Sequence, residues 1–272
     1  MGAELFDRYA DWTADADRVL GYSIRELCVD DPRGELGQTQ FTQPALYVVN
    51  ALTYRAKRDD GLGEPAFCAG HSLGEYNALL AAGSFDFATG LTIVKERGRL
   101  MSQVGGGGMA AVIGMEPERI REILASTDAG RLIDVANFNS FDQTVIAGPK
   151  EALQTVQADF EAAGVRAYIP LNVSAPFHSR YMREPQNQFG VFLANFQFAA
   201  PAIDVVANVS GRPYQHDLVR QTLGEQIGNS VQWLETMLYL MRQPEPEFVE
   251  CGPGSVLTKM LAQIRKRLKT AG

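Results

Sequence analysis

The sequence predicts an α/β protein: a larger parallel-sheet, α/β-hydrolase-like domain with an inserted ferredoxin-like subdomain. Three observations carry this. The small apolar run Ala66-Phe67-Cys68-Ala69 leads through Gly70-His71-Ser72-Leu73-Gly74 into the helix-forming run Glu75-Tyr76-Asn77-Ala78-Leu79-Leu80-Ala81-Ala82, so a strand turns sharply into a helix with a serine at the bend. Between Met109 and Leu171 the pattern reads β-α-β-β-α-β, the ferredoxin-like order. The buried run Val205-Val206-Ala207-Asn208-Val209 then returns the chain to the first sheet. The large domain is expected over residues 1–106 and 173–272, and the small one over 107–172.

In chain order, residues 4–27 read as helical, and Thr42-Gln43-Pro44-Ala45 starts a helix with proline in its first turn. After the strand and helix around Ser72, another helix is expected over 86–101. The run Gly105 to Gly108 precedes a strand instead of following one into a helix, so it reads as a hinge and not as a phosphate cradle. The insert should comprise strand 109–114, helix 117–126, strands 133–137 and 143–147, helix 150–163 and strand 166–171. A helix over 233–241 comes next, then a strand over 247–250 and the turn Gly252-Pro253-Gly254 into the last helix.

Composition narrows the function. The chain has 272 residues, 46% hydrophobic, enough for a substantial core. No stretch approaches the roughly 20 apolar residues of a membrane span, and no basic-then-apolar leader opens the chain, so the expected compartment is cytoplasmic. The three cysteines, Cys28, Cys68 and Cys251, include no Cys-x-x-Cys pair and read as reduced apolar residues, with no disulfide framework and no metal. A net charge of -7 disfavours nucleic acid. The basic cluster Lys259, Arg265, Lys266, Arg267 and Lys269 complements a helix C-terminus or receives an acidic partner.

Ser72 sits where a nucleophile would sit, and a serine hydroxyl needs a base. There are three histidines. His71 adjoins Ser72, but successive residues of a tight turn point apart, so it reads as an orienting or packing residue. His216 lies in the polar turn Pro213-Tyr214-Gln215-His216-Asp217. His178 ends Val173-Ser174-Ala175-Pro176-Phe177-His178 at the junction of the domains, where a cleft is expected, and is the chosen base. The chain order fits an α/β-hydrolase topology badly, because the residues before Ser72 are mostly helical and the histidine lies far from the C-terminus.

With the nucleophile and base in place, the sequence resembles the malonyl-CoA:acyl carrier protein transacylases of fatty acid synthesis and the acyltransferases that serve polyketide synthases. The resemblance runs from Met1 to about Lys269 through Thr42-Gln43-Pro44-Ala45-Leu46, Gly70-His71-Ser72-Leu73-Gly74-Glu75, Arg97-Gly98 with Met101, Asn137-Phe138-Asn139-Ser140, Val145-Ile146-Ala147-Gly148, Pro176-Phe177-His178-Ser179, Gln226 ahead of Val231-Gln232-Trp233, and Gly252-Pro253-Gly254. The wording around Phe85-Asp86-Phe87 and His178-Ser179-Arg180-Tyr181-Met182 is most similar to free-standing enzymes that load polyketide assembly lines in trans.

The resemblance implies a transfer of malonyl from malonyl-CoA to Ser72 and on to the phosphopantetheine thiol of an acyl carrier protein, with no bound cofactor and with the chain acting as a monomer. It implies that His178 is the base, that the Gln226 backbone carbonyl orients it, and that the Leu73 N–H donates to the oxyanion. Arg97 would bind the malonyl carboxylate, although in Lys95-Glu96-Arg97-Gly98-Arg99 it reads equally well as a solvated helix face. Gln43, Asn137 and His71 would line the pocket, and Phe177 would leave little room for an α-methyl group. The chain begins at Met1-Gly2-Ala3-Glu4-Leu5-Phe6, which resembles the family's sequence immediately after a first strand and a Gly-Gln-Gly-Ser-Gln loop. A start upstream of Met1 is therefore expected. Two other readings are an acyl hydrolase that clears carrier proteins, for which a buried unpaired guanidinium has no use, and a non-catalytic docking protein.

Overall fold

The computed structural model describes residues 1–271. The segment read as one helical stretch is three helices: α1 (Ala3–Arg8), α2 (Ala10–Leu20) and α3 (Ile24–Val29). Tyr9 leaves the helical region at φ -121°, Gly21 ends α2 in the left-handed region at φ 83°, and the Ser23 side chain caps α3 by accepting from the Glu26 N–H. Helix α4 (Thr39–Asp59) begins three residues before the expected Thr42, which places Pro44 in its second turn. The Thr42 hydroxyl is bound to the carbonyls of Leu36 and Gln38, so the start is fixed upstream of the proline.

Strand β1 (Phe67–Ala69) leads to α5 (Gly74–Ala81) and α6 (Phe87–Ser102), the latter capped by Asp86, which accepts from the Thr89 N–H at 2.7 Å. Helices α4 and α6 bury their 3.6-periodic faces against each other, with Val48, Leu52, Leu91 and Val94 fully enclosed. Enclosing each such aliphatic side chain contributes about 1.5–3 kcal/mol.

The next segment runs β2 (Gly107–Ile113), α7 (Pro117–Ser126), β3 (Asp134–Ser140), β4 (Gln143–Pro149), α8 (Lys150–Ala162) and β5 (Ala167–Pro170). Its four strands form one sheet in the order β3-β4-β2-β5, every neighbouring pair antiparallel. Val112, Ile120, Ile146, Val156 and Phe160 fill the space between this sheet and its helices. Only half of the glycine run is a joint: Gly107 and Gly108 pair with Pro149 and Gly148, and a Cβ on Gly107 would lie 2.4 Å from Pro176.

Helix α9 (Arg183–Leu193), β6 (Asp204–Val206), α10 (Val219–Glu225), α11 (Trp233–Met241) and α12 (Val256–Ala271) complete the chain. Strand β6 pairs in parallel with β1, Phe67 opposite Asp204, and among the described residues no strand pairs with the other edge of β1. The result is a mixed α/β fold with one parallel and one antiparallel sheet. The strand expected over 247–250 does not form. Prolines at 244 and 246 precede it, and Glu250 is committed to α12, its carboxylate accepting from the N–H groups of Leu257 and Thr258. Two of the basic residues of α12 are engaged within the chain, Arg267 with Glu116 at 3.0 Å and Arg265 over the Phe248 ring.

Candidate active site

The turn after β1 is tight enough to exclude side chains. A Cβ on Gly70 would fall 1.9 Å from the Gly74 carbonyl carbon, so this position admits only glycine. Ser72 itself is held at φ 50°, in the left-handed region that a β-carbon disfavours. The buried Asn208, just beyond β6, pins it there: its Oδ1 accepts from the Ser72 N–H at 2.7 Å and its Nδ2 donates to the Gly70 carbonyl at 2.7 Å. Leu73 precedes the first turn of α5, and its N–H has no acceptor among the described residues.

His178 is also left-handed, at φ 56°, and is buried. Its Nδ1 lies 3.0 Å from the Gln226 main-chain carbonyl. A carbonyl only accepts, so Nδ1 carries the proton and Nε2 is left as an acceptor, 2.7 Å from Ser72 Oγ. Burial first, and the Arg97 charge second, push the imidazole down to about 3. His178 is thus neutral at physiological pH and free to accept a proton.

Arg97 is not a solvated residue. It projects from the middle of α6 with 1% exposure, while the surface pairing on that helix is between Arg99 and Glu96. Its Nη1 donates to Gln43 Oε1 at 2.5 Å, and its Nη2 to Gln226 Oε1 at 2.9 Å and to Ser72 Oγ at 3.1 Å. The guanidinium lies over the Tyr76 ring at 5.3 Å, and among the described residues its Nε has no hydrogen-bond partner and no carboxylate pairs with it directly. A buried guanidinium with only neutral acceptors around it carries a charge that a carboxylate could neutralise.

The other sequence-chosen residues fall around this centre. Gln43 is buried on α4 against Arg97 and Met101. His71 faces away from Ser72: its Nε2 donates to Asn139 Oδ1 of β3 at 2.8 Å, Asn137 lies 3.4 Å from the same nitrogen, and its ring meets Trp233 edge-on. Phe177 is half-buried and packs against two hydrophobic clusters, one built around α4, α5 and α6 and one on a face of the four-stranded sheet. His216 is exposed. A cavity of about 550 Å³ opens beside His178, lined by Asp134, Phe138, Ser179, Asn229 and Gln232 among others.

Sequence reasoning missed Asn208, Glu75 and the side chain of Gln226. Asn208 carried a signal, a single polar residue in the apolar run 205–209; so did Glu75, the one charged residue of α5. The Gln226 side chain carried none. Among the described residues no group of three or more His, Cys, Asp or Glu is placed to hold a metal, and no helix is long and apolar enough to cross a membrane.

A pinned serine, a neutral histidine accepting from it and a buried guanidinium within reach form an arrangement able to activate a serine hydroxyl for acyl transfer beside a fixed positive charge. The chain belongs to the acyl transferase domain family, whose sequence profile matches residues 1–271. It is 48% identical over 267 residues to the polyketide biosynthesis malonyl CoA-acyl carrier protein transacylase PksC of Bacillus subtilis, covering 98% of this chain and 92% of that one. It is 53% identical over 264 residues to the polyketide biosynthesis protein ThaF of Burkholderia thailandensis, where the match covers 97% of this chain but only 23% of ThaF. Among solved structures, a malonyl CoA-acyl carrier protein transacylase from Burkholderia pseudomallei superposes with a TM-score of 0.95 at 51% identity, covering 98% of this chain and 93% of that one. A malonyl-transacylase solved in complex with its type II polyketide synthase acyl-carrier protein superposes with a TM-score of 0.92 at 36% identity, covering 97% and 87%.

Proposed function

We propose that the chain is a malonyl-CoA:acyl carrier protein S-malonyltransferase of polyketide or fatty acid synthesis. The observation that carries the reading is that one oxygen, Ser72 Oγ, lies 2.7 Å from His178 Nε2 and 3.1 Å from Arg97 Nη2. Ser72 is the nucleophile, His178 the base and Arg97 the group that selects a malonyl carboxylate over an uncharged acyl end. In the first half-reaction Ser72 Oγ attacks the thioester carbonyl as its proton passes to His178 Nε2, and the developing oxyanion is met by the Leu73 N–H at the head of α5. The C–S bond breaks, His178 returns the proton to the CoA thiolate, and malonyl-Ser72 remains. In the second, the phosphopantetheine thiol gives its proton to His178 and attacks the ester, and His178 reprotonates Ser72. The neutral Gln226 carbonyl fixes the tautomer without the charge stabilisation a carboxylate would give the imidazolium.

Gln43 holds Arg97, Asn137 and His71 form the wall toward the small domain, and Phe177 narrows the acyl pocket. The partner is an acyl carrier protein, supported by the transacylase complex described above, and the cavity beside His178 is the proposed path of its prosthetic arm. We assign the large catalytic domain to 1–106 and 173–272 and the small one to 107–172. The strand order β3-β4-β2-β5 supports a ferredoxin-like insert, and the turn at Ser72 a hydrolase-like elbow in a different topology. The proposed compartment is the cytoplasm, where the three free cysteines would stay reduced. The test is intact mass after incubation with malonyl-CoA: one malonyl group on Ser72 that moves to added holo carrier protein supports transfer. An adduct lost to water at the same rate with or without carrier protein identifies a hydrolase instead.

A further inference from the structure

Glu75 comes directly after the Ser72 pentad, heads α5 and has 0% exposure. A carboxyl so placed costs several kcal/mol unless its oxygens are paired, yet no ion pair reaches it among the described residues. Its oxygens are instead filled by neutral donors. Oε1 accepts from the Tyr214 hydroxyl at 2.5 Å and the Asn208 N–H at 3.2 Å, and Oε2 accepts from Gln226 Nε2 at 2.5 Å.

Gln226 joins this carboxylate to everything the reaction uses. Its Nε2 also donates to the Ser72 carbonyl at 2.7 Å, its Oε1 accepts from Arg97, and its own main-chain carbonyl holds His178 Nδ1. Arg97 can only donate, so the amide must turn its oxygen to Arg97 and its NH₂ to Ser72 and Glu75. That orientation requires position 75 to be a pure acceptor at Oε2. A proton or an amide NH₂ on Oε2 sets donor against donor, and flipping Gln226 to relieve it turns NH₂ toward Arg97 and releases the Ser72 carbonyl. A proton on Oε1 instead makes the Tyr214 hydroxyl turn round to accept it and leaves Oε2 a weaker, uncharged acceptor for Gln226.

We propose that Glu75 is a positioning residue for the acylation step, its ionised carboxylate fixing the Gln226 amide and thereby the placement of Arg97, the Ser72 turn and the carbonyl that orients His178. The inference rests on the roles given above to Ser72, His178 and Arg97. The charged and titratable groups that face Glu75 are Arg97 from α6, Tyr214 from the segment before α10 and Tyr76 from its own helix; both phenols are pushed above their usual range by burial. Burial also pushes the Glu75 carboxyl up to about 7, against the opposing pull of Tyr214, Gln226, Asn208 and Arg97. The ionised form is the working one, so activity is lost as pH falls through this value. His178, depressed to about 3, stays neutral over the same window.

The experiment is the pH profile of kcat/KM for formation of malonyl-Ser72 from malonyl-CoA, with acetyl-CoA run alongside. Wild type should lose rate on an acidic limb near neutrality. Tyr214→Phe removes a donor to the ionised form, raises the Glu75 pKa and should move that limb to higher pH by about one unit. Glu75→Gln has nothing to titrate there: the limb should vanish, kcat should fall about 10- to 100-fold through misplacement of the reacting groups, and the preference for malonyl over acetyl should shrink. If Glu75→Gln does not fold, Tyr214→Phe carries the test by itself. A limb unmoved by Tyr214→Phe, or retained by folded Glu75→Gln, belongs to another group and overturns the proposal while leaving the transfer reading intact. Failure of wild type to form any malonyl adduct at any pH overturns the transfer reading itself.

Discussion

Behind the four-stranded sheet, Val112, Ile120, Ile146, Val156 and Phe160 are buried in one apolar cluster. Where β1 and β6 of the two-stranded sheet end, Glu75, Arg97, Asn208, Gln226 and His178 are buried just as deeply, and each is bonded to another member of that group or to Ser72. The ends of parallel strands are where α/β folds place ligands, and the cost of burying polar groups there is met only while every group keeps its partner. A core of the first kind should lose stability when trimmed and little else. A core of the second kind should lose its chemistry.

The largest effects belong to the polar core. Ser72→Ala should abolish the malonyl-enzyme, and His178→Ala should slow its formation by about 10²- to 10⁴-fold, read from single-turnover mass spectra. Retained labelling in Ser72→Ala would move the nucleophile elsewhere. Next comes Arg97→Ala. A charged hydrogen bond to the substrate carboxylate is worth about 1.5–3 kcal/mol, so the malonyl-to-acetyl ratio of kcat/KM should fall by about one to two orders of magnitude. An unchanged ratio would leave Arg97 a purely structural cation.

The apolar core supplies the contrast. Ile120→Ala should cost about 2–5 kcal/mol in urea unfolding, yet leave kcat/KM at 25 °C within a few-fold of wild type. If that variant loses activity as steeply as stability, the two cores are coupled and the distinction between them fails. The smallest effect tests the strain at the turn. Ser72→Gly removes a left-handed residue with a β-carbon, whose strain costs about 1–3 kcal/mol, so this inactive variant should melt no lower than wild type. A clearly lower Tm would mean that the serine side chain stabilises the turn that it strains.

The contrast also explains what the sequence made legible. The segment from Met109 to Leu171 could be read because short apolar runs of strand length, such as Met109-Ala110-Ala111-Val112-Ile113 and Val145-Ile146-Ala147, are separated by helix-length runs with helical periodicity. An apolar core needs only that order. The two-stranded sheet was harder: each strand is three residues long, and the expected strand over 247–250 failed because Glu250 is spent on capping α12. At the site, Ser72 and His178 stood out as residue types with known chemistry, whereas Arg97 in its charged helical run read equally well as a solvated residue and was singled out only by the family resemblance. Asn208, Glu75 and the Gln226 side chain did not stand out, since their importance comes from partners 133, 138 or 151 positions apart in sequence. Nor does any local pattern announce that His178, like Ser72, takes a positive φ.

The central claim is that the Ser72–His178 pair carries the acyl group between two thiols. Stopped-flow detection of free CoA, with malonyl-CoA in excess and no carrier protein, tests it most directly. A rapid burst of one CoA thiol per active site is expected, then near-silence until holo carrier protein is added, with no burst in Ser72→Ala. Steady CoA release without a burst, or a burst that survives Ser72→Ala, would contradict it.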